Sequence, residues 1–274
     1  MGLYELLKII FVYPLLNLLI LIYYAFSGLG IPGALGWSIL VLTFLFKIAT
    51  QPLFIKQIKQ AKVMQELAPK IKKLQNKYKN NPAQLQKEQM KLYTQAGVNP
   101  AGGCLILLIQ VPFIYALYNA FLIFLNVENN GGFQSLQKII YFSFINLDKI
   151  ETMFLGFDLT ISPSVALSRF GGSAWHYLLI PFITGFLQYY FSKTSFANVS
   201  QTSENKEEVA KKNKSGSDSD PAEDFSRIMQ FQTKYLFPVL IGWVSMSFPV
   251  GLALYWNAFS FFSILQSRMV SAKS

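Results

Sequence analysis

A lysine inside an apolar helical segment is the residue of this sequence best placed to bind a ligand or substrate. Lys47 lies in the string LFKIATQPL, and at about 1.5 Å per residue it is roughly 13 to 16 Å from either end of the segment. A lysine at the centre of a bilayer costs about 2.5 to 3.5 kcal/mol, so water or a partner must offset that cost. Thr43, Lys47 and Gln51 recur every four residues and share one helix face. A fixed cation in a water-filled cavity would attract a negatively charged or polar segment.

Further polar residues fall within apolar segments. They are Gln110 and Asn119, Thr184 and Gln188, and Trp256 and Asn257. None of these segments contains an acidic residue, so the sequence offers Lys47 no internal salt-bridge partner. Simpler explanations stay open: a single amide can bond to a neighbouring helix, Trp256 can be an interfacial anchor, and Lys47 can lie nearer the membrane surface.

The composition assigns these segments to a membrane protein. The chain of 274 residues is 52% hydrophobic and only 14% charged, which is unusual for a soluble domain. We therefore predict an all-α integral membrane protein. Its net charge of +10 comes largely from a lysine block beside apolar segments, which favours a membrane surface or ribosomal RNA over DNA as the anionic neighbour. Cys104 is the single cysteine, so no internal disulfide and no cysteine-based metal cluster is expected. We also predict no bound metal and no cofactor.

Five segments are long and apolar enough to span a bilayer. The predicted spans are residues 34–55, 101–125, 174–191, 231–249 and 250–268. The last two form one apolar stretch too long for a single crossing, and FPVG at Phe248–Gly251 supplies the turn that folds it into a hairpin. Residues 1–30 are ambiguous: Leu6–Phe26 could be a sixth span, a helix lying in the interface, or a signal peptide. The signal peptide is the least favoured of the three, because the apolar region is too long.

Loop charge predicts the orientation. Residues 56–100 form a lysine-rich block that should be cytoplasmic, whereas residues 126–173, with three basic residues and four acids, should be extracytoplasmic. Alternation then puts the tail, 269–274, in the cytoplasm. Residues 192–230 are polar and low in complexity, which is typical of a disordered cytoplasmic linker.

The lysine block has the pattern of a helical hairpin. Apolar residues form a narrow stripe on its first helix, namely Met64, Leu67, Ile71, Leu74 and Tyr78. Asn81 is placed to cap a second helix, Pro82 to begin it and Gly97 to end it. The hairpin could be merely a solvated basic pair or a docking arm for anionic lipid, ribosome or an incoming chain. The candidate docking residues are Lys56, Lys59, Lys62, Lys70, Lys72, Lys73 and Lys77.

Several strings, in this order, are shared with one known family: FVYPLLNLLI, GWSILVLTFLFKIATQPLFIKQIKQAKVMQELAPKI, LYTQAGVNPAGGCLILLIQVPFIYALYNAF, FLGFDL, LLIPFITGFLQ and SFPVGLALYWNAFSFFSILQ. On these strings the chain resembles the YidC/Oxa/Alb family of membrane protein insertases over nearly its whole length. The resemblance implies a five-helix transmembrane core around a hydrophilic groove, a cytoplasmic helical hairpin, and an N-terminal amphipathic interfacial helix. It also implies a location in the bacterial cytoplasmic (inner) membrane.

The resemblance assigns roles to three residues. Lys47 corresponds to the basic residue that attracts acidic or polar substrate tails, while Gln188 and Trp256 correspond to groove-lining residues. The family usually has arginine at the position of Lys47, and lysine lacks the fork of donors that a guanidinium offers. Many bacterial members begin with a signal peptide or an extra anchor and periplasmic domain. We predict neither in this sequence, which therefore resembles a minimal form of the family.

The predicted function is therefore membrane protein insertion without enzymatic activity. Nascent membrane proteins and the lipid bilayer are the expected partners, with the ribosome and the Sec translocon as further candidates. No phosphate loop of the GxxxxGK[ST] type is present in the sequence. The alternative is a small-molecule or ion transporter that uses Lys47 as its binding charge, and a purely structural subunit would leave the cost of Lys47 unexplained. An enzyme is least favoured, because His176 is the only histidine and has no acid or nucleophile nearby in sequence.

Overall fold

The described part of the chain is mostly helical, in agreement with the predicted all-α class. The computed structural model describes residues 5–6, 8–78, 81–98, 111–120, 122–123, 136–145, 147, 149–210 and 231–272. Its α-helices are α1 (Tyr13–Gly28), α2 (Ala34–Lys77), α3 (Pro82–Gln95), α4 (111–120), α5 (Pro163–Phe170), α6 (Leu179–Ala210), α7 (Phe237–Val244) and α8 (Val250–Ala272). Shorter turns of other helix types cover Lys8–Val12, Gly171–Leu178 and Gln232–Leu236, and strands β1 (Met153–Phe154) and β2 (Phe157–Asp158) form an antiparallel hairpin.

Helix α1 packs against α2 and bonds to residues 139, 141 and 151. Its buried apolar residues are Leu16, Leu19, Ile20 and Tyr23. The buried Asn17 side chain donates to the backbone oxygen of Ile139 at 3.0 Å and accepts from the backbone nitrogen of Tyr141 at 2.6 Å. The Tyr23 hydroxyl accepts from the backbone nitrogen of Glu151 at 2.9 Å. The polar groups of α1 are therefore satisfied by the segment that precedes β1.

Helix α2 joins an apolar half to a basic half without a break. It has 44 residues, which corresponds to a length of about 66 Å, and it continues through Pro52 and Pro69. Among the described helices, two stretches are long and apolar enough to cross a membrane, Lys8–Gly28 and Ala34–Met64, while Lys234–Val244 is apolar but shorter. The basic half of α2 therefore projects beyond its apolar half.

The basic half of α2 packs against α3. The Asn81 side chain caps α3 by accepting from the backbone nitrogen of Gln84 at 3.1 Å. Pro82 is the first residue of α3, where its missing N–H is not needed. Gly97 follows the helix with a φ of +66°, a left-handed conformation that favours glycine. The local sequence signals thus act where they were expected.

Helices α6, α7 and α8 pack together at the C-terminal end of the chain. A Cβ atom on Gly242 of α7 would lie 3.0 Å from the Pro181 carbonyl oxygen and 3.2 Å from the Gly185 Cα atom of α6. Glycine at these positions therefore allows the two backbones to approach closely. Helix α8 in turn contacts both α6 and α2, so it joins the C-terminal helices to α2.

The turn between α7 and α8 is fixed to residues 159–164. The backbone nitrogens of Val250 and Gly251 donate to the carbonyl oxygens of Ile161 and Leu159 at 2.9 and 2.8 Å. On the other side, the Phe154 ring covers the first turn of α2 at Gly36. The beginnings of α2 and α8 therefore meet the segment 154–161 at one end of the bundle.

Candidate functional site

Buried polar side chains lie in three rows, one on each of helices α2, α6 and α8, and we call these rows together the polar seam. Its members are Thr43 and Lys47 on α2, Thr184, Gln188 and Ser192 on α6, and Ser260, Ser263 and Ser267 on α8, each no more than 7% exposed. On each helix the members follow one another at intervals of three or four residues, which places them on one face. Hydrogen bonds across the helices join these faces, among them one from Lys47 and one that Gln188 accepts from Trp256.

Lys47 is 6% exposed, and its ammonium group has three partners among the described residues. The Nζ atom donates to the Ser263 Oγ atom at 2.7 Å. The same Nζ atom lies 4.0 Å from the ring centroid of Phe54 and 4.0 Å from that of Phe259. Ser263 and the two rings thus form a cage around the ammonium, which we call the Lys47 cage.

The Lys47 cage accounts for a buried cation at this position. A hydrogen bond to a charged group contributes about 1.5 to 3 kcal/mol, and a desolvated contact between a cation and an aromatic ring contributes about 2 kcal/mol. These terms are comparable to the cost of about 2.5 to 3.5 kcal/mol for a lysine at membrane depth. Within the described residues, no carboxylate is paired with Lys47. Sequence reasoning named water as the simplest partner, whereas the structure supplies a hydroxyl and two rings.

Ser263 also connects Lys47 to the backbone of α8. Its hydroxyl donates to the Phe259 carbonyl oxygen at 2.7 Å, so the lone pairs of Oγ remain available to accept from Lys47. Sequence reasoning missed Ser263, Phe54 and Phe259 as site residues. A signal was present, because Ser260, Ser263 and Ser267 follow Trp256 at helical spacing within an apolar helix.

An aromatic cluster lies beside the Lys47 cage and joins three helices. The rings of Phe46 on α2 and Phe113 on α4 are 3.9 Å apart between centroids. The rings of Phe113 and Tyr255 on α8 are 5.0 Å apart, and Tyr255 is 6.0 Å from Phe259. Since Phe259 belongs to both groups, the packing of α2 against α8 holds the cage in position.

The second bond across the polar seam joins Gln188 and Trp256, the two residues that the family resemblance named as groove-lining. The Trp256 indole nitrogen donates to the Gln188 Oε1 atom at 3.3 Å, and Gln188 is buried. Thr43 and Thr184 each donate to the carbonyl oxygen four residues earlier, at 2.6 and 2.8 Å. These hydroxyls satisfy their donors locally and present oxygen lone pairs to the seam.

Asn257 adds an acceptor that the described structure leaves unused. Its Oδ1 atom is buried and has no hydrogen-bond partner among the described residues, and the Tyr115 hydroxyl is in the same state. A buried acceptor without a partner costs about 1 to 3 kcal/mol. Both atoms are therefore places where water or the N–H group of a bound peptide would be favourable.

The other predicted site residues lie elsewhere or are not described. Gln51 is exposed, unlike Thr43 and Lys47 on the same face of α2. Gln110 lies outside the described residues. Of the seven candidate docking lysines, Lys62 is half-buried, and the exposed ones are Lys56, Lys59, Lys70, Lys72, Lys73 and Lys77. In the described segments, no group of three or more histidine, cysteine, aspartate or glutamate side chains could hold a metal ion.

The face of α3 that is turned away from its half-buried residues Leu85 and Leu92 lines an open groove. Its volume is about 630 Å³, and the lining residues are Ala83, Gln86, Lys87, Met90, Lys91, Thr94 and Gln95. The Lys91 ammonium bonds to the Glu88 carboxylate at 2.8 Å. This bond holds the pKa of Glu88 below its usual value and raises the pKa of Lys91. The groove thus combines an exposed methionine with two lysines.

The chain matches the family model described as 60Kd inner membrane protein over residues 27–274. The chain belongs to this family. Among its relatives is the membrane protein insertase YidC of Chlorobium luteolum, which is 30% identical over 242 residues, or 87% of this chain and 33% of the relative. The YidC of Clostridium perfringens is 44% identical over 115 residues, or 39% of this chain and 48% of the relative. The predicted membership of the YidC/Oxa/Alb family is therefore confirmed.

A relative from a chloroplast extends the comparison. The inner membrane ALBINO3-like protein 2 of Chlamydomonas reinhardtii is 31% identical over 227 residues, which is 82% of this chain and 47% of the relative. The matched region covers about a third to a half of the length of these three family members. Their names are those of inner-membrane proteins and membrane protein insertases, and none is the name of an enzyme.

Proposed function

We propose that this chain is a membrane protein insertase that binds nascent membrane proteins and releases them laterally into the bilayer. One observation carries the proposal. This chain, which belongs to a family of inner membrane proteins, buries a lysine in its polar seam and pairs it with a neutral hydroxyl. The proposed site is a hydrophilic groove within a five-helix transmembrane core. The residues proposed to line it are Thr43, Lys47, Gln51, Gln110, Gln188, Trp256 and Asn257.

The Lys47 cage suggests how an acidic tail would be captured. A substrate carboxylate can replace the Ser263 hydroxyl as the acceptor for Lys47, because an ionised acceptor adds a Coulomb attraction that the neutral hydroxyl lacks. The hydroxyl oxygens of Thr43 and Thr184 can then accept from the N–H groups of the tail. Such bonds lower the cost of moving polar backbone through an apolar environment. The apolar helix of the substrate would follow by moving into lipid.

The contacts at one end of the bundle support the proposed topology. The turn before α8 and the start of α2 both meet residues 154–161, so the proposed extracytoplasmic loop 126–173 would close that end of the groove. The lysine hairpin lies at the far end of α2, as expected for a cytoplasmic arm. The proposed C-terminus at the end of α8 is then cytoplasmic as well. Bonds from Asn17 and Tyr23 to residues 139–151 favour an interfacial position for α1 over a sixth span.

The lysine hairpin is proposed as the docking arm. Six of its seven candidate lysines are exposed and the seventh is half-buried, and the groove on α3 adds Met90 between Lys87 and Lys91. An apolar and basic surface of this kind suits an incoming apolar chain, anionic lipid or ribosomal RNA. The ribosome and a Sec translocon are therefore candidate partners at this arm.

The proposal is tested by reconstitution into liposomes that contain only this protein. The substrate is a small single-span protein with an acidic N-terminal tail, and protease protection of the tail measures insertion. We expect insertion well above that of protein-free liposomes. Lys47→Ala and Lys47→Glu should reduce it about tenfold or more, as loss of one charged bond implies, whereas Lys47→Arg should preserve it. A substrate with a neutral tail is the matched control and should be affected much less.

Two results would contradict the proposal. Equal insertion by the Lys47→Glu variant would refute the electrostatic role of Lys47. Folded protein that gives no insertion, but takes up a solute with saturable kinetics, would favour the transporter that uses Lys47 as its binding charge.

A further inference from the structure

The β1–β2 hairpin carries an apolar residue at a position that neither the backbone nor packing favours. Phe154 pairs with Phe157, and the two residues between them, Leu155 and Gly156, have φ angles of +51° and +85°. Two positive values define a type I′ turn, for which Asn-Gly is the preferred pair. Leucine rarely adopts this conformation. Leu155 is also 79% exposed, more than any other large hydrophobic side chain in the described residues.

The β1–β2 hairpin packs closely against the start of α2. The Phe154 side chain is buried against Gly36, where a Cβ atom would lie only 2.2 Å from the ring. Trp37 packs edge-on against Phe154 with ring centroids 5.6 Å apart. The backbone nitrogen of Asp158 donates to the Tyr177 hydroxyl at 2.8 Å. The tip therefore has a fixed position relative to α2, and the Leu155 side chain is held away from the core.

Other exposed apolar residues lie on β1, at the start of α2 and in the turn before it, and β1 packs against α2. Met153 of β1 is 47% exposed, Leu29 in the turn before α2 is 75% exposed, and Trp37 is 44% exposed. We call Leu29, Trp37, Met153 and Leu155 the tip patch. Further along α2, the exposed apolar residues are Phe44, Leu45 and Ile48. The tip patch is thus continuous with the apolar surface of a helix long enough to cross a membrane.

We propose that the tip patch is a membrane anchor, with Leu155 inserted among the lipid headgroups of the leaflet that faces the start of α2. Continuity with the apolar surface of α2 selects lipid over a protein partner, and a tryptophan at the end of a membrane helix is typical of this zone. The tip lies within the string FLGFDL, which is shared with the family and contributes no residue to the polar seam. The anchor sets the depth of α2, and so of Lys47, which lies about 15 Å further along the helix. It requires only a membrane location and is independent of the insertase activity.

The depth of the tip can be measured with an environment-sensitive fluorophore. Leu155→Cys in a Cys104→Ser background is labelled with a nitrobenzoxadiazole dye and placed in vesicles of phosphatidylcholine and phosphatidylglycerol. We expect blue-shifted emission and strong quenching by lipids that carry a spin label at the headgroup or upper acyl chain. Glu151→Cys is the matched control, because an exposed carboxylate at the same end of the bundle belongs in water, and its label should be quenched by aqueous iodide instead.

A second variant separates anchoring from folding. Leu155→Asn creates the favoured Asn-Gly turn, so its thermal midpoint in detergent should equal or exceed that of the parent protein. In vesicles, a dye at Met153→Cys should lose at least half of its headgroup-level quenching when Leu155→Asn is added. Emission from position 155 like that of the Glu151 control would overturn the anchor. Self-quenching that rises with the protein-to-lipid ratio would also overturn it, since it would show a second copy on the patch.

Discussion

The hydrogen bond between Lys47 and Ser263 should be measurable as an energetic coupling between the two residues. Ser263→Ala removes the acceptor of an ammonium that is 6% exposed, and the loss of a hydrogen bond to a charged group costs about 1.5 to 3 kcal/mol. In a Lys47→Met background there is no ammonium group, so Ser263→Ala leaves no buried charge without an acceptor. The Ser263 hydroxyl then keeps its bond to the Phe259 carbonyl oxygen, which joins two neutral groups, so its removal should cost about 0.5 kcal/mol, at the lower end for such a bond. We therefore expect a coupling of about 1.5 to 3 kcal/mol.

The assay is reversible unfolding in mixed detergent micelles, followed by far-ultraviolet circular dichroism. The proteins compared are the parent, Lys47→Met, Ser263→Ala and the double variant. Ser245→Ala is the matched control, because Ser245 is buried and donates to the Gly242 carbonyl oxygen at 2.7 Å. Its removal should cost the same amount in the parent protein and in the Lys47→Met background.

Lys47→Met should by itself leave the protein at least as stable as the parent, because replacing a buried charged group and filling its volume with an apolar one is often neutral or stabilising. The same variant should insert acidic-tailed substrates poorly. Equal costs of Ser263→Ala in both backgrounds would refute the hydrogen bond as a source of stability, and the account of how Lys47 is accommodated would fail with it.

Two further predictions concern the elements that hold the site and the hairpin. Gly36→Ala would place a Cβ atom 2.2 to 2.6 Å from three atoms of the buried Phe154 ring. It should therefore lower the free energy of unfolding by about 1 to 3 kcal/mol. This loss is expected even though alanine is favoured over glycine by about 1 kcal/mol in an open helix. Gly28→Ala, where a Cβ atom would meet nothing within 4 Å, should be neutral or stabilising, and an equal loss for both variants in the same unfolding assay would contradict the packing argument. Asn81→Ala should lower the stability of α3 by about 1 kcal/mol and speed hydrogen exchange of the amides in its first turn. Unchanged exchange there would show that the cap contributes nothing to stability.

The sequence predicted features that depend on neighbours within a few residues. Asn81, Pro82 and Gly97 mark the ends of α3 because a cap, a missing N–H and a left-handed φ are all local requirements. The shared strings predicted the family, and its model matches residues 27–274. Lys47 stood out because a charge in an apolar helix is costly wherever the helix packs.

The partners of Lys47 could not be predicted in the same way. Ser263 lies 216 residues away in the chain, and no local pattern specifies which helix faces Lys47. Serine is also tolerated in apolar helices, because its hydroxyl can bond to the preceding turn, so Ser260, Ser263 and Ser267 attract less notice than a charge. The packing of Phe154 against Gly36 is equally non-local, since it joins residues of α2 and β1.

The Lys47 cage gives a physical reason for lysine at a position where the family resemblance leads one to expect arginine. Each ring centroid is 4.0 Å from the nitrogen, a spacing that suits a compact ammonium between two aromatic faces. Among the described residues, Ser263 supplies one hydroxyl acceptor, so a guanidinium with five donors would have more of them unsatisfied before a substrate binds. Its charge would still attract an acidic tail. A neutral acceptor also leaves the positive charge of Lys47 uncompensated. The cage can therefore stabilise the empty site and still favour exchange of the hydroxyl for a substrate carboxylate, which a salt bridge to a resident acid would oppose.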